Sequence, residues 1–207
     1  MGNNQRGQLG DGTTTTDRHI PVRVHLPAGT RVTAVSAGAI FSLALTSTGR
    51  VLAWGLNHRG QLRIGVRTDR HHPVPVKLPK GTRVTGIAAG YAFGLAVTAS
   101  GQGLAWGMND FGQLGIPLTT AQSNVPVRMR LPAQDKVTAI SGGFIHSLAL
   151  TRAGHVLARG VEIIAPRHGV KLPAGLIATA LATGSTALAA FVSQAQPLAW
   201  QRADAPN

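Results

Sequence analysis

The tetrapeptide Thr-Asp-Arg-His occurs twice, as Thr16 to His19 and as Thr68 to His71, and His72 adds a further imidazole. Carboxylate and imidazole side chains can hold a divalent metal, so Asp17, His19, Asp69 and His71 are the first residues to weigh as ligands. A third copy of the surrounding text reads Gln-Ser-Asn-Val, Gln122 to Val125, and lacks both the acid and the imidazole. Aspartate ahead of a proline-led segment is also a common turn former. The turn reading is preferred, and no metal site is expected.

Other catalytic constellations find less support. Ser42 and Ser147 have no Gly-x-Ser-x-Gly context, and Glu162 is the one glutamate of the chain. The seven acids are spread over loops, with no carboxylate pair at a recurring spacing that general acid and base work would need. There is no cysteine, which removes thiolate ligands, disulfides and thiol nucleophiles. Gly101 to Gly107, "GQGLAWG", lacks the spacing and the following helix of a dinucleotide loop, and no phosphate-cradling loop motif occurs. No catalytic residue and no cofactor are expected.

The chain carries 20 Lys+Arg against 7 Asp+Glu, a formal charge of +13. Such a charge attracts anionic partners at low salt. The basic residues, Arg18, Arg23, Arg31, Arg50, Arg59, Arg83, Arg128 and Arg152 among them, fall one or two at a time along the chain. Scattered basicity is a weak sign of nucleic-acid recognition, so specific binding of nucleic acid is not expected. No apolar run is long enough to span a membrane, and Met1 leads into a polar segment. A cytoplasmic location is expected if Met1 is the true start, a secreted one if a leader lies upstream. The bias of arginine over lysine with abundant alanine suggests a high-GC bacterial genome.

These residues sit in a repeat. Gly-Gln-Leu begins at Gly7, Gly60 and Gly112, 53 and 52 residues apart. "PVRVHLP" from Pro21 returns as "PVPVKLP" from Pro73 and "PVRMRLP" from Pro126. "FSLALTSTGRVLAWG" from Phe41 returns from Phe93, and from His146 as "HSLALTRAGHVLARG". A fourth copy is decayed and lacks Gly-Gln-Leu. The approximate units are 1–55, 56–107, 108–160 and 161–207, within a single repeat domain.

Each unit divides into four short β-type runs, "PVRVHL", "RVTAVSAG", "FSLALT" and "RVLAWG" in the first, parted by turn residues. Four strands per unit is the arithmetic of a β-propeller blade. The fold class expected is all-β: a propeller of four-stranded antiparallel blades, about four present, the ring incomplete. The Ala-rich stretch Ala178 to Ala190 is read as strand.

"GQLGDG", "HSLALT" and "LAWG", in this order and spacing, resemble the regulator of chromosome condensation repeat family. The resemblance covers nearly the whole chain and implies a propeller of about seven blades, each sequence repeat straddling two blades. The recurring text then specifies a blade.

Structural roles follow for the repeated residues. Gly38, Gly90, Gly143 and Gly184 are expected to supply a positive φ or a close backbone approach. Trp54, Trp106 and Trp200, followed in two units by Gly55 and Gly107, should fill space between blades. Gln8, Gln61 and Gln113 should tie the loop of one blade to the next. Three positions depart from the pattern: Arg63 replaces the glycine seen at 10 and 115, Pro117 the glycine at 12 and 65, and Arg159 the tryptophan; the fourth unit also has no Gly-Gln-Leu.

Loops on a rigid scaffold are where binding residues usually sit, and the segments after Gly-Gln-Leu vary most. Arg18, His19, Arg67, Arg70 and His71 are the candidates for partner contact. Three full units cannot close a seven-blade ring, which suggests a piece of a longer protein or, second, a homodimer completing the ring. The function expected is a non-enzymatic protein-binding scaffold whose partner identity is not legible. The resemblance implies one alternative, guanine nucleotide exchange on a small GTPase, for which spacings of 52 and 53 leave no room for a wedge-like insertion. It implies another, inhibition of a secreted enzyme such as a β-lactamase.

Overall fold

The computed structural model describes residues 1–14, 17–130, 135–160, 176–183 and 188–194, the last two chiefly as backbone. The first sheet runs β1 (Val32–Ala37), β2 (Phe41–Thr46), β3 (Val51–Gly55) and β4 (Arg70–Pro75), in that spatial order and all antiparallel. The second repeats it with β5 (Val84–Ala89), β6 (Phe93–Thr98), β7 (Gly103–Met108) and β8 (Gln122–Arg128). The third holds β9 (Val137–Gly142), β10 (His146–Thr151) and β11 (Val156–Gly160), and a hairpin of β12 (Leu176–Thr183) and β13 (Leu188–Gln194) follows. The Ala-rich stretch thus lies on two strands. Propeller blades account for this architecture.

The innermost strands β1, β5, β9 and β12 neighbour one another in succession, and β4 and β8 are outermost. A middle strand is covered on both faces by adjoining blades, so it is apolar on both. β6 and β7 are buried along their whole length. One core cluster joins Phe41, Leu43 and Val51 of the first blade to Val84, Ala96 and Trp106 of the second. Another joins Phe93 and Leu95 to Val137, Ala149 and Leu157 of the third.

The second and third copies of the proline-led run become the outer strands β4 and β8, paired with β3 and β7 of the preceding unit. Each blade therefore takes its fourth strand from the next unit's text. The first copy, Pro21 to Leu26, departs from expectation and is not a strand. No described strand lies beside it; it is held by the His25 N–H on the Gly10 carbonyl and by Val24 against Trp54.

Antiparallel order sorts the connections into two ends. The β1–β2 turns and the long β3–β4 and β7–β8 loops leave from the upper end. The β2–β3 turn, its equivalents, and the β4–β5 and β8–β9 connections leave from the lower end.

Candidate functional site

The upper end carries the segments after Gly-Gln-Leu, and buried asparagines organise them. Asn57 accepts from the Leu62 N–H at 2.9 Å and donates to the carbonyls of Val66 and Thr68. Asn109 does the same with Leu114, Pro117 and Thr120, while Asn4 accepts from the Leu9 N–H and donates to the Asp11 carboxylate and the Thr13 carbonyl. All three are fully buried, so their amides meet the loop's main-chain needs away from water. Sequence reasoning passed over them. The signal was available, since Asn4, Asn57 and Asn109 stand three residues ahead of each Gly-Gln-Leu.

The glutamines act within their own turns: the amide oxygens of Gln8, Gln61 and Gln113 accept from the N–H two residues earlier. It is the glutamine main-chain carbonyl that reaches the neighbouring blade. Trp54 Nε1–H and the Ser42 hydroxyl donate to the Gln8 carbonyl at 2.8 and 2.9 Å, and Trp106 Nε1–H donates to that of Gln61 at 2.8 Å. Gly7 and Gly60 let the outer strand come close, since a Cβ there would lie 2.5 Å from His71 Cα and 3.0 Å from Asn124 Cβ. Trp106 packs in the core between the first and second blades.

Gly38 and Gly90 have no positive φ; a Cβ on either would lie 2.1 Å from the ring of Phe41 or Phe93. Close approach is what they provide. Gly55 and Gly107 do adopt positive φ, 104° and 100°, where the chain leaves β3 and near the end of β7. Gly143 N–H bonds the His146 carbonyl and its own carbonyl accepts from Tyr91, linking the upper turns of two blades. Gly184 and Trp200 lie outside the described residues.

Arg159 changes the pattern in the third blade. The Gln113 carbonyl accepts from Ser147 at 2.6 Å, and among the described residues no indole reaches it. A Cβ on Gly10 would sit 2.8 Å from Trp54 Nε1, whereas at the equivalent Gly115 the nearest atom is Arg159 Cγ at 3.6 Å. The space left is a cleft of about 470 Å³ lined by Phe111, Ile116, Leu118 and Arg159 among others. Burial of the Arg159 guanidinium lowers its pKa from the usual arginine value.

The two Thr-Asp-Arg-His segments are used structurally. Asp69 accepts from the Asn57 N–H and pairs with Arg6 at 3.6 Å and His58 at 3.8 Å. Asp17 accepts from Asn3. Among the described residues no three His, Asp or Glu side chains stand together to hold a metal. Asp11 accepts from Asn4 and Thr13 and pairs with Arg18 at 3.3 Å. Burial alone would raise its pKa; hydrogen bonds from the Thr13 hydroxyl and N–H and from Asn4, with the Arg18 charge, outweigh burial and lower it to about 2.

Of the five candidate contact residues, Arg18 is engaged with Asp11 and Thr13, and Arg70 with Thr68 and the Asp69 carbonyl. The Gln122 amide, turned so that its oxygen faces Arg67, accepts both guanidinium nitrogens at 2.9 and 2.8 Å. His71 lies against Gly7 and His19 is exposed. The upper end is thus a set of internally braced loops.

Four-stranded blades strapped together through repeated Gly-Gln-Leu loops define a repeat propeller. The family model "Regulator of chromosome condensation (RCC1) repeat" matches residues 1–45, 48–97 and 100–150, and the chain belongs to that family. It is 33% identical over 159 residues to the ultraviolet-B receptor UVR8 of Arabidopsis thaliana, covering 77% of this chain and 36% of the receptor. Human WBSCR16 superposes with a TM-score of 0.80 at 25% identity, over 93% of this chain and 54% of that one. Yeast RCC1 (Prp20), solved bound to Kap60, gives 0.71 at 21% identity, over 89% and 47%. The chain therefore spans about a third of the first relative and about half of the two solved chains.

Proposed function

We propose that the chain is a non-enzymatic scaffold that binds a protein partner through its blade-connecting loops. One observation carries this reading. The recurring polar residues are spent on holding blades together, while the loops they brace differ from unit to unit in sequence. Variable loops on a rigid repeat are the places where recognition residues accumulate. His19 and Arg67 are the two exposed candidates, Arg67 with its guanidinium on the Gln122 amide.

Cross-linking and pull-down from the source cells, comparing the natural chain with H19A/R67A, tests the reading. A protein retained by the first and lost by the second supports it. Retention by both equally places recognition elsewhere. A nucleotide-release assay with small GTPases runs alongside, and acceleration there would replace simple scaffolding by exchange activity.

A further inference from the structure

The lower end gathers cations that are far apart in sequence. Arg31 and Arg50 come from the first blade, Lys80 and Arg83 from the connection into the second, Arg128 from the end of β8, and Lys136 and Arg152 from the third blade. All seven are exposed, and among the described residues none has an ion-pair partner. Of the described carboxylates, Asp11, Asp17, Asp69 and Asp110 belong to the upper loops. Asp135 alone lies at the lower end, 3.6 Å from His155. The array is continuous across blades: Val84 N–H bonds the Gly49 carbonyl and Val137 N–H that of Gly101. Arg83 Cγ and Lys136 Cβ lie against those same turns.

Two clefts flank the lower turn of the second blade. One, about 420 Å³, combines Lys80, Arg83 and Arg128 with the hydroxyls of Thr82 and Ser100 and the apolar Leu104 and Pro126. The other, about 240 Å³, combines Lys136 and Arg152 with Thr85 and Thr138 and with Val97 and Val137. Lysine and arginine bind carboxylates through charge-assisted hydrogen bonds, and here they do so without the Thr85 and Thr138 hydroxyls, which donate to the Val97 and Leu150 carbonyls. Leu104, Val97 and Val137 are core side chains, so aliphatic groups next to those carboxylates would meet Pro79, Pro126 and the methylene stems of the cations. Among the described residues the exposed aromatic rings, Tyr91, Phe111 and Phe144, are all at the upper end, so no stacking platform for bases is offered below.

We propose that the lower end is a docking surface for an extended acidic segment of a partner protein, rich in Asp and Glu with interspersed aliphatic residues. It goes beyond the scaffold reading, because it assigns the opposite end of the blades and a defined partner chemistry. Fluorescence anisotropy of the full chain with a labelled peptide of repeated Glu-Asp-Val units tests it, beside a labelled mixed-sequence duplex DNA of equal charge. K80E/R128E/R152E is compared with R59E/R67E/R70E at the upper end; each replaces three cations by three anions, so the net charge falls equally. The expected result is a loss of peptide affinity of about tenfold or more in the lower-end variant, little change in the upper-end one, and weakening with salt. Equal loss in both variants, tighter binding of the DNA than of the peptide, or no saturable peptide binding would each overturn the proposal. Thermal melts check folding, and the single reversals K80E and R152E repeat the test if the triple variant melts early. Failure here leaves the H19A/R67A comparison at the other end untouched, so the two readings fail separately.

Discussion

Single side chains decide how firmly the blades are joined. Asn57→Ala would leave the Leu62 N–H and the Val66 and Thr68 carbonyls without their partner. We expect a loss of about 2–4 kcal/mol, read as a lowered urea midpoint, because buried polar groups cost most when one partner is removed. Arg159→Trp should act in the opposite sense. A restored indole would donate to the Gln113 carbonyl and fill the cleft, raising stability by about 1 kcal/mol in the same titration. Asp11 adds a pH dependence. Its pKa falls from 3.8 in the unfolded chain to about 2 in the fold, so its contribution is complete above pH 3.8 and disappears as pH drops through about 2. Acid titrations should show Asp11→Asn less stable at neutral pH and flatter than the natural chain between those two values.

At the scale of elements, burial is graded across each blade. β6 and β7 are buried throughout and bonded on both edges, whereas β1 is exposed at most positions and β4 is paired on one side. Hydrogen exchange should therefore protect β6 and β7 longest and release β1 early. Uniform protection across the first two blades would contradict this. A bulge recurs at the start of β1, β5 and β9, where Thr33, Thr85 and Thr138 donate to the carbonyls of Leu45, Val97 and Leu150. The recurring Val-Thr text held this feature, but a bulge cannot be told from regular strand by alternation alone.

For the whole molecule, the flank of the first blade is the telling surface. Val35 of β1 is 75% exposed, while its equivalents Ile87 and Ile140, one and two blades on, are partly buried against their neighbours. Light scattering tests whether a second copy covers it in solution: if so, the mass rises with concentration above that of the 21.4 kDa chain. Val35→Glu should return the mass to that of one chain. A concentration-independent monomer in the natural chain would exclude such pairing.

Much of the fold is legible in the sequence. The spacing of Gly7, Gly60 and Gly112, and four β-type runs per unit, determined the blade and its membership of a repeat family, because a repeated unit must bury the same face each time. The placement of the first proline-led run was not legible, since a strand exists only where a partner edge meets it. The candidate contact residues were legible as loop residues, but not that Arg18 and Arg70 are tied to their own loops. Charge shows the limit most clearly. Read along the chain, Arg31, Arg50, Arg83, Arg128 and Arg152 are scattered singly. Tertiary structure brings them to one end, because antiparallel strands return every second connection to the same side and packed blades set those connections next to one another.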